Sequence, residues 1–282
     1  MTSPRKRHAL GQHFLRDSEL CKKIADRALQ IVRQSDCATL LEIGPGKGAI
    51  TLPLFEMMTR QADESPLRRF IISETDQEFI ERWKEDSHYL VPYSVRAEVA
   101  EGDFLQLPET KWLPETGNLA VVSNLPYSAG TAIVTRLCQH PERIPGMVLM
   151  FQAEVARRLR ASPDTKDWGS LSLWVQNRWD VTLLHFVPPK AFNPPPKVDS
   201  EVILLLPRAK PRIEVSAAEE KHFESLLRVA FAHRRKMLRS GLPPQGPWRE
   251  SLEAAGIDGT LRAEALTWEQ WDRWWTEVRA RT

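Results

Sequence analysis

Short apolar runs alternate with segments of helical periodicity through the first two hundred residues of the chain. The apolar runs predict seven strands, at 38–43, 70–73, 94–100, 119–123, 146–151, 181–187 and 202–206. The periodic segments predict helices at about 19–33, 49–58, 76–84, 129–138 and 154–160, while the pattern at 170–178 is ambiguous and favours a helix. Alternation of this kind is typical of βαβ units, and it predicts an α/β fold built on a mostly parallel sheet.

The ends of two helices carry recognisable signals. Ser18 directly precedes the first helix, and we expect its hydroxyl to cap that helix. Ser216 and Glu219 form a capping-box sequence, which predicts a long helix over about 217–239. The chain after this point is predicted to be helical to its end.

Proline and basic residues interrupt the pattern at 207–213, and we predict a domain boundary there. The predicted organisation is a basic N-terminal arm at 1–17, an α/β domain at 18–209 and a small all-helical domain at 210–282. In the last domain, helical spacing of four tryptophans favours core packing or an apolar patch over base stacking. These are Trp268, Trp271, Trp274 and Trp275.

Composition excludes several classes of protein. The 282 residues carry a formal net charge of +2, which is too small to indicate nucleic-acid binding without local clustering. Three cysteines without C-x-x-C spacing argue against a disulfide framework or a zinc site and indicate a reducing, cytoplasmic environment. We expect no metal and no membrane span, since no apolar run approaches the roughly 18 residues a span needs. The basic residues Arg5–Arg7 suit an arm, with a short mitochondrial presequence as the alternative.

A glycine triplet, Gly44-x-Gly46-x-Gly48, lies directly between the first strand and its helix. Glycine permits positive φ and a close approach of backbone to ligand, and the following helix N-terminus favours a negatively charged group. The spacing is not that of the dinucleotide fingerprint, and no Walker A sequence is present, which argues against P-loop phosphate transfer. A plain βα turn is the alternative reading.

Polar residues close the next three strands, at Glu74, Asp103 and Asn124. Ligands of open α/β sheets bind beyond the carboxyl ends of the strands, so these side chains should share one cleft. Carboxylates there suit a ribose diol or an exocyclic amino group. Together the three positions predict a cleft for an adenosine-bearing cofactor with a second amino-bearing ring beside it.

The segment Asn124-Leu125-Pro126-Tyr127 offers groups that could hold such a ring. The Asn124 amide provides an acceptor and donors. Pro126 has no N–H and keeps Leu125 extended, which leaves the nearby carbonyls available to a ligand. Tyr127 provides a flat face for stacking.

These motifs, in this order, resemble the KsgA/RsmA family of small-subunit rRNA adenine dimethyltransferases over about residues 6–270. The motifs are Gly11-Gln12-His13-Phe14-Leu15, Leu41 to Gly48, Asn124 to Tyr127, Phe192-Asn193-Pro194-Pro195-Pro196-Lys197-Val198-Asp199-Ser200, and His233-Arg234-Arg235-Lys236. The resemblance implies a Rossmann-like class I methyltransferase sheet, S-adenosylmethionine as cofactor, and an RNA-binding helical domain. Many family members have Asn where His13 stands, and the imidazole could add pH dependence.

The resemblance also implies roles for single residues. The implied cofactor-binding residues are His13, Leu15, Gly44, Gly46, Glu74, Asp103 and Asn124. The implied catalytic residues are Asn124, Leu125, Pro126 and Tyr127, with Phe192 as a second stacking face. The implied RNA contacts are Arg234, Arg235 and Lys236. Arg157 and Arg158 could extend this basic surface, with a solvated helix face as the alternative.

The expected reaction is dimethylation of two adjacent adenines in a hairpin loop near the 3′ end of small-subunit rRNA. Direct transfer to the exocyclic nitrogen needs no dedicated general base. The expected partner is small-subunit rRNA or an immature small ribosomal subunit, and the enzyme is expected to be a monomer. Two alternatives remain open: a large-subunit rRNA adenine methylase of the antibiotic-resistance type, and a non-catalytic RNA-binding ribosome-assembly factor.

Overall fold

The computed structural model describes residues 13–60, 65–90 and 94–281, without the side chains of 87–90. Most of the basic arm, including Arg5–Arg7, therefore lies outside the described residues. The chain divides into two compact units, the first comprising residues up to 156 and 181–207, and the second comprising 157–180 and 208–282. The second unit thus includes 157–180, a segment that precedes the boundary predicted at 209–210. That boundary stays a prediction.

The strands of the described chain belong to one large sheet and one small one. Numbered along the chain, they are β1 (Phe14–Leu15), β2 (Thr39–Ile43), β3 (Arg69–Glu74), β4 (Arg96–Glu101), β5 (Leu119–Asn124), β6 (Met147–Gln152), β7 (Trp179–Val187), β8 (Phe192–Asn193) and β9 (Ser200–Pro207). The large sheet has the order β4-β3-β2-β5-β6-β9-β7. Strands β2 to β6 pair in parallel, and β9 joins β6 antiparallel. The prediction of a mostly parallel seven-stranded sheet is confirmed.

The α-helices of the described chain are α1 (Ser18–Gln34), α2 (Thr51–Arg60), α3 (Gln77–Leu90), α4 (Gly130–Leu137), α5 (Ala153–Leu159), α6 (Ser170–Arg178), α7 (Glu220–Phe231), α8 (Leu238–Gly241), α9 (Trp248–Ala254) and α10 (Trp268–Arg279). Short 3-10 turns occur at Glu109–Lys111, Pro189–Ala191 and Ala263–Ala265. No helix in this part of the chain is long and apolar enough to cross a membrane.

The core of the first unit follows from the apolar strands. Every residue of β2 is buried, and the same holds for β5 up to Ser123 and for β6 up to Phe151. A parallel sheet covered by helices on both faces leaves no strand position facing water, so its strands are apolar over most of their length. This continuous apolar character is the signal that made the strands predictable.

The cap of α1 differs from the prediction. Asp17, and not Ser18, is the N-cap residue, and its carboxylate accepts a hydrogen bond from the Leu20 N–H at 3.1 Å. Ser18 is the first helical residue. Both side chains can cap a helix, so local sequence could not decide between them.

The long helix predicted over 217–239 is also wrong. Helix α7 ends at Phe231, a turn follows, and α8 begins at Leu238. The N–H of Leu238 donates to the Leu261 carbonyl and that of Arg239 to the Gly259 carbonyl, both at 2.8 Å, in place of helical bonds. Tertiary partners therefore break a segment whose local pattern was helical.

The start of α7 differs as well. The Ser216 hydroxyl donates to the Glu219 carboxylate at 2.6 Å, and the helix begins at Glu220, three residues after the predicted start at 217. At the other end of the second unit, Trp271, Trp274 and Trp275 are buried in its core, as core packing predicted. Their helix α10 is capped by Thr267, with Gln270 completing a capping box.

Strands β1 and β8 form a small antiparallel pair that the sequence did not predict. Phe14 lies opposite Asn193, and Leu15 lies opposite Phe192. This pairing joins the N-terminal segment to the proline-rich loop of the first unit. It brings residues that are far apart in sequence next to one another.

Candidate functional site

The first unit contains a cavity of about 260 Å³ at the carboxyl ends of β2, β3, β4 and β5. This is the edge at which open α/β sheets bind their ligands. Ten of the predicted site residues line it: His13, Leu15, Gly44, Gly46, Glu74, Asp103, Asn124, Leu125, Pro126 and Tyr127. The structure therefore brings together the residues that sequence reasoning drew from five separate segments.

The glycine turn after β2 has the backbone that the sequence pattern suggested. Gly44, Gly46 and Gly48 have φ values of +66°, +52° and +86°, a region that side-chain-bearing residues rarely adopt. A Cβ at Gly48 would lie 2.5 Å from the ring of Trp83, whereas a Cβ at Gly44 would meet no atom within 4 Å. Gly48 is thus required by packing, and Gly44 leaves room for a ligand.

Trp83 is a residue of the site that sequence reasoning missed. Its indole N–H donates to the Gly46 carbonyl at 3.1 Å, and its ring is fully buried. Trp83 therefore stabilises the glycine turn through both a hydrogen bond and a close contact with Gly48. Nothing in the local sequence of α3 signals this role.

The Glu74 carboxylate, at the end of β3, is held by backbone N–H groups. Its Oε1 accepts from Thr75 at 2.7 Å and Asp76 at 3.0 Å, and its Oε2 accepts from Gly46 at 3.2 Å. The side chain is 6% exposed. These bonds fix the carboxylate beside the glycine turn, where it can accept from a ligand hydroxyl.

The second carboxylate of the cavity, Asp103, lies beyond β4 and is exposed. Its Oδ1 accepts from the Leu105 N–H at 3.0 Å. The neighbouring Phe104 is buried and also lines the cavity. The carboxylate is therefore oriented by its own turn, next to an apolar surface that suits a planar ring.

Glu42 is a further missed residue of the cavity. It lies within β2, is 2% exposed, and its Oε2 has no hydrogen-bond partner among the described residues. Burial, and to a smaller extent the nearby Glu74 carboxylate, raise the pKa of Glu42 to about 8. An acidic residue inside the apolar run Leu40–Ile43 was a sequence signal that could have identified it.

The segment after β5 offers acceptors to the cavity. Asn124 is partly buried, and no hydrogen bond to its amide is formed by any residue that the structure describes. The Pro126 carbonyl accepts from Ala129 at 3.1 Å and Gly130 at 2.9 Å. The Leu125 carbonyl has no such partner within the described ranges. Of these two carbonyls, that of Leu125 is therefore the one left for a ligand.

Two aromatic rings close the same end of the cavity. The Tyr127 hydroxyl lies 2.8 Å from the Ser200 hydroxyl, and its ring centroid lies 5.7 Å from that of His13. His13 Nδ1 lies 2.8 Å from the Pro194 carbonyl and must be the donor, since a carbonyl only accepts. Burial raises the pKa of Tyr127, so its phenol stays neutral.

Phe192 is not among the residues that line the cavity. It is 2% exposed and packs in the core of the first unit. Phe14 of β1, the strand that pairs with β8, lines the cavity instead. Its ring lies 3.1 Å from the position that a Cβ of Gly46 would take, and the Lys47 ammonium lies 4.6 Å from the ring centre. Stacking of Phe192 on a target base has no support from this arrangement and stays a prediction.

The basic residues expected to contact RNA all belong to the second unit. The Arg234 guanidinium donates to the carbonyls of Lys166 and Trp168, both at 2.7 Å, so it has a structural role in the turn after α7. Arg235 and Lys236 are exposed, and no partner for either side chain is found in the described part of the chain. These two are therefore better placed than Arg234 to bind phosphate.

Two further arginines extend the basic set. Arg157 is exposed and Arg158 partly buried, in the last turn of α5. The described residues contain no group of three or more His, Cys, Asp or Glu side chains that could hold a metal ion.

Comparison with known sequences gives a consistent result. The family model described as ribosomal RNA adenine dimethylase matches residues 3–279. The chain is 36% identical over 269 residues to a ribosomal RNA small subunit methyltransferase A of Alcanivorax borkumensis, covering 95% of this chain and 88% of that protein. It is 37% identical over 276 residues to the protein of the same name from Chelativorans sp., covering 96% and 93%.

Comparison with solved structures agrees with the fold. The 23S rRNA methyltransferase ErmE superposes with a TM-score of 0.62 at 25% identity, covering 94% of this chain and 99% of that chain. A dimethyladenosine transferase from Plasmodium falciparum superposes with a TM-score of 0.72 at 23% identity, covering 95% and 98%. The sheet is therefore the class I methyltransferase sheet that the sequence predicted.

Proposed function

The chain belongs to the ribosomal RNA adenine dimethylase family, and we propose that it dimethylates two adjacent adenines in a hairpin loop near the 3′ end of small-subunit rRNA. The methyl donor is S-adenosylmethionine, in keeping with the chemistry of the family. The proposed substrate is rRNA within an immature small subunit, and the proposed enzyme is a cytoplasmic monomer. Relatives named for the small subunit, at 36–37% identity, support this choice of RNA.

One observation carries the proposal at the level of chemistry. The Asn124 amide, which no described residue binds, lies in one cavity with the open Gly44 backbone and the fixed Glu74 carboxylate. A free amide at such a place can hold an amino group, and the glycine turn and carboxylate can hold a nucleoside. The site is thus suited to bring an amino-bearing base to an adenosine-bearing donor.

The residues present fit S-adenosylmethionine. Glu74 would accept from the ribose hydroxyls, and Asp103 from the adenine amino group, while Gly44 leaves open space against its backbone. His13 and Leu15 would cover the cofactor from the β1 side. When bound, the cofactor supplies a methyl group activated by a sulfonium.

The target amine is a poor nucleophile because its lone pair is delocalised into the adenine ring. The Asn124 Oδ1 and the Leu125 carbonyl would accept its two hydrogens and favour a pyramidal nitrogen. Tyr127 would stack on the ring and fix its plane. Holding both reactants in line for displacement can contribute roughly 7–11 kcal/mol.

RNA binding would rest on the second unit's cations. Arg235, Lys236 and Arg157 are exposed and suit phosphate contacts, and Arg158 could extend them. The target base must leave its stack, which costs a few kcal/mol and is cheapest in a loop. Affinity for RNA should fall steeply with salt, because cations that neutralise phosphates release counterions.

The deciding experiment incubates the protein with methyl-labelled S-adenosylmethionine and two substrates, immature small subunits and large subunits, both from cells without the corresponding methylases. Dimethyladenine mapped to adjacent adenines in the 3′ hairpin of small-subunit rRNA is the expected result. Label in large-subunit rRNA alone would support the antibiotic-resistance reading. Binding to small subunits without label in any RNA would support a non-catalytic assembly factor.

A further inference from the structure

Ser200 is a buried polar residue for which the reaction outlined above assigns no role. It is the first residue of β9, it is fully buried, and its hydroxyl meets the Tyr127 hydroxyl at 2.8 Å. No other side chain that the structure describes bonds to the Tyr127 hydroxyl. The bond links the far end of the ring to a strand of the central sheet.

The support behind Ser200 is rigid. The backbone carbonyl of its neighbour Asp199 accepts a hydrogen bond from the Ala153 N–H at 2.9 Å. Ser200 itself lies in register with Gln152 of β6. Tyr127, by contrast, lies in a connection between β5 and α4, where its backbone belongs to no regular element. A ring on a connection can swing about its Cα–Cβ bond unless its tip is held. The hydroxyl oxygen lies on the axis of the second side-chain bond, so a bond at the hydroxyl holds the tip of the ring in place.

The other side of the ring is bounded by His13. The two ring centroids lie 5.7 Å apart with an angle of 34° between their planes, and His13 is tied to the Pro194 carbonyl. Both contacts of Tyr127 thus lead to the segment that runs from β8 to the start of β9. At one end of this segment Pro194 binds the His13 ring, and at the other end Ser200 binds the Tyr127 hydroxyl.

We propose that Ser200 is a positioning residue for methyl transfer, because its hydroxyl holds the tip of Tyr127 and so sets the inclination of the face on which the target adenine stacks. This inference rests on the proposed function. The plane of the stacked base sets the direction of its exocyclic amine. A ring that can tilt presents the amine off the line of displacement, and small misplacements of this kind can cost up to about a hundredfold in rate.

The bond does not titrate in the neutral range. Burial raises the pKa of Tyr127, and a serine hydroxyl has no ionisation there. The positioning effect should therefore be equal at all neutral pH values. A change in turnover caused by this bond can then be separated from effects of any nearby histidine.

The test compares Ser200→Ala, Tyr127→Phe and the double variant, each as the full chain, in turnover on small-subunit rRNA with labelled cofactor. Each single change removes the same bond from opposite ends, and Tyr127→Phe keeps the stacking face. We expect turnover to fall at least about tenfold in each single variant. The double variant should be no slower than the slower single one, since only one bond is lost. Affinity for S-adenosylmethionine, measured by calorimetry, should be unchanged.

Ser251→Ala is the matched control. Ser251 is equally buried, and its hydroxyl accepts from the indole N–H of Trp274 at 3.1 Å, but it belongs to the core of the second unit. Its loss should lower the melting temperature and leave turnover per folded molecule unchanged.

Three results would overturn the inference. The first is normal turnover in both single variants, whatever their melting temperatures, which would make the bond purely structural. The second is a double variant whose loss is the product of the single losses. The third is an inactive wild-type protein on its RNA, which refutes the proposed function itself and is recognised before any variant is measured. If Ser200→Ala does not fold, Tyr127→Phe alone decides.

Discussion

Replacing Asn124 by alanine should separate the chemistry of the cavity from the stability of the fold. The Asn124 amide receives no hydrogen bond from the described residues and is only partly buried. Its removal therefore leaves no protein group without a partner. We expect the free energy of unfolding to fall by less than about 1 kcal/mol, the range for substitutions that break no buried bond.

The effect on catalysis should be much larger. If the Asn124 oxygen holds the amine as its nitrogen becomes pyramidal, the bond strengthens in the transition state. Removing one such preorganised group typically costs roughly a hundredfold to a thousandfold in kcat, or about 2.7–4 kcal/mol. Cofactor affinity should change less than turnover, because Gly44, Glu74 and Asp103 remain in place.

The assay measures methyl transfer to saturating small-subunit rRNA under single-turnover conditions, so that product release cannot mask the chemical step. Cofactor binding is measured by calorimetry, and stability by urea unfolding. Turnover of Asn124→Ala within about threefold of the wild type, a loss below 1 kcal/mol, would refute the reasoning. The Asn124 amide would then have no role in the methyl transfer.

Asn177→Ala is the matched control for this prediction. Its amide is buried and bonded twice to Ile213, donating to the carbonyl at 3.0 Å and accepting from the N–H at 2.7 Å. The same side-chain truncation there leaves two buried backbone groups unsatisfied, which should cost roughly 2–5 kcal/mol of stability. Turnover per folded molecule should be retained, so the two variants should show opposite profiles.

Three other predictions test separate parts of the structure. Gly48→Ala should lower the free energy of unfolding by roughly 2–4 kcal/mol in urea, because it combines a positive φ with a contact of 2.5 Å to Trp83; a stable variant would contradict the tight turn. Since burial raises the pKa of Glu42 to about 8, its neutral form contributes stability that is full below pH 4.5 and is lost as pH rises towards 8. Glu42→Gln should remove this part of the pH dependence, which amounts to roughly a few kcal/mol of unfolding free energy. A variant whose melting temperature changes with pH from 5 to 8 as that of the wild type does would contradict this prediction. Arg235→Ala and Lys236→Ala should each lower the slope of log affinity against log salt by about 1 without loss of stability, and an unchanged slope would remove these residues from the RNA surface.

The sequence determined the sheet and most of the cavity's polar groups. A parallel strand buried on both faces is apolar along most of its length, so β2, β5 and β6 could be predicted directly. The rule that ligands bind at the carboxyl ends of such strands then placed Glu74 and Asn124 together. These inferences succeeded because each depends on a local pattern and one general rule of topology.

Tertiary structure decided between conformations that the local sequence pattern does not distinguish. A helical pattern continued past Phe231, but the backbone of Leu238 found a partner in the Leu261 carbonyl and the helix ended. Arg234 is predicted from sequence to contact phosphate, which stays a prediction, and only the tertiary structure reveals that its guanidinium also bonds to two carbonyls of a distant loop. Local sequence determines which conformations of a segment have low energy, and tertiary packing selects among them.

The same limit applies at the centre of the site. The bond between Tyr127 and Ser200 joins residues 73 positions apart, and that between His13 and Pro194 spans 181. No periodicity or motif spacing reports contacts at such separations, because they exist only once β1 has paired with β8 and β9 has joined β6. The sequence by itself named the groups that could do the chemistry, while the tertiary fold alone set their orientation.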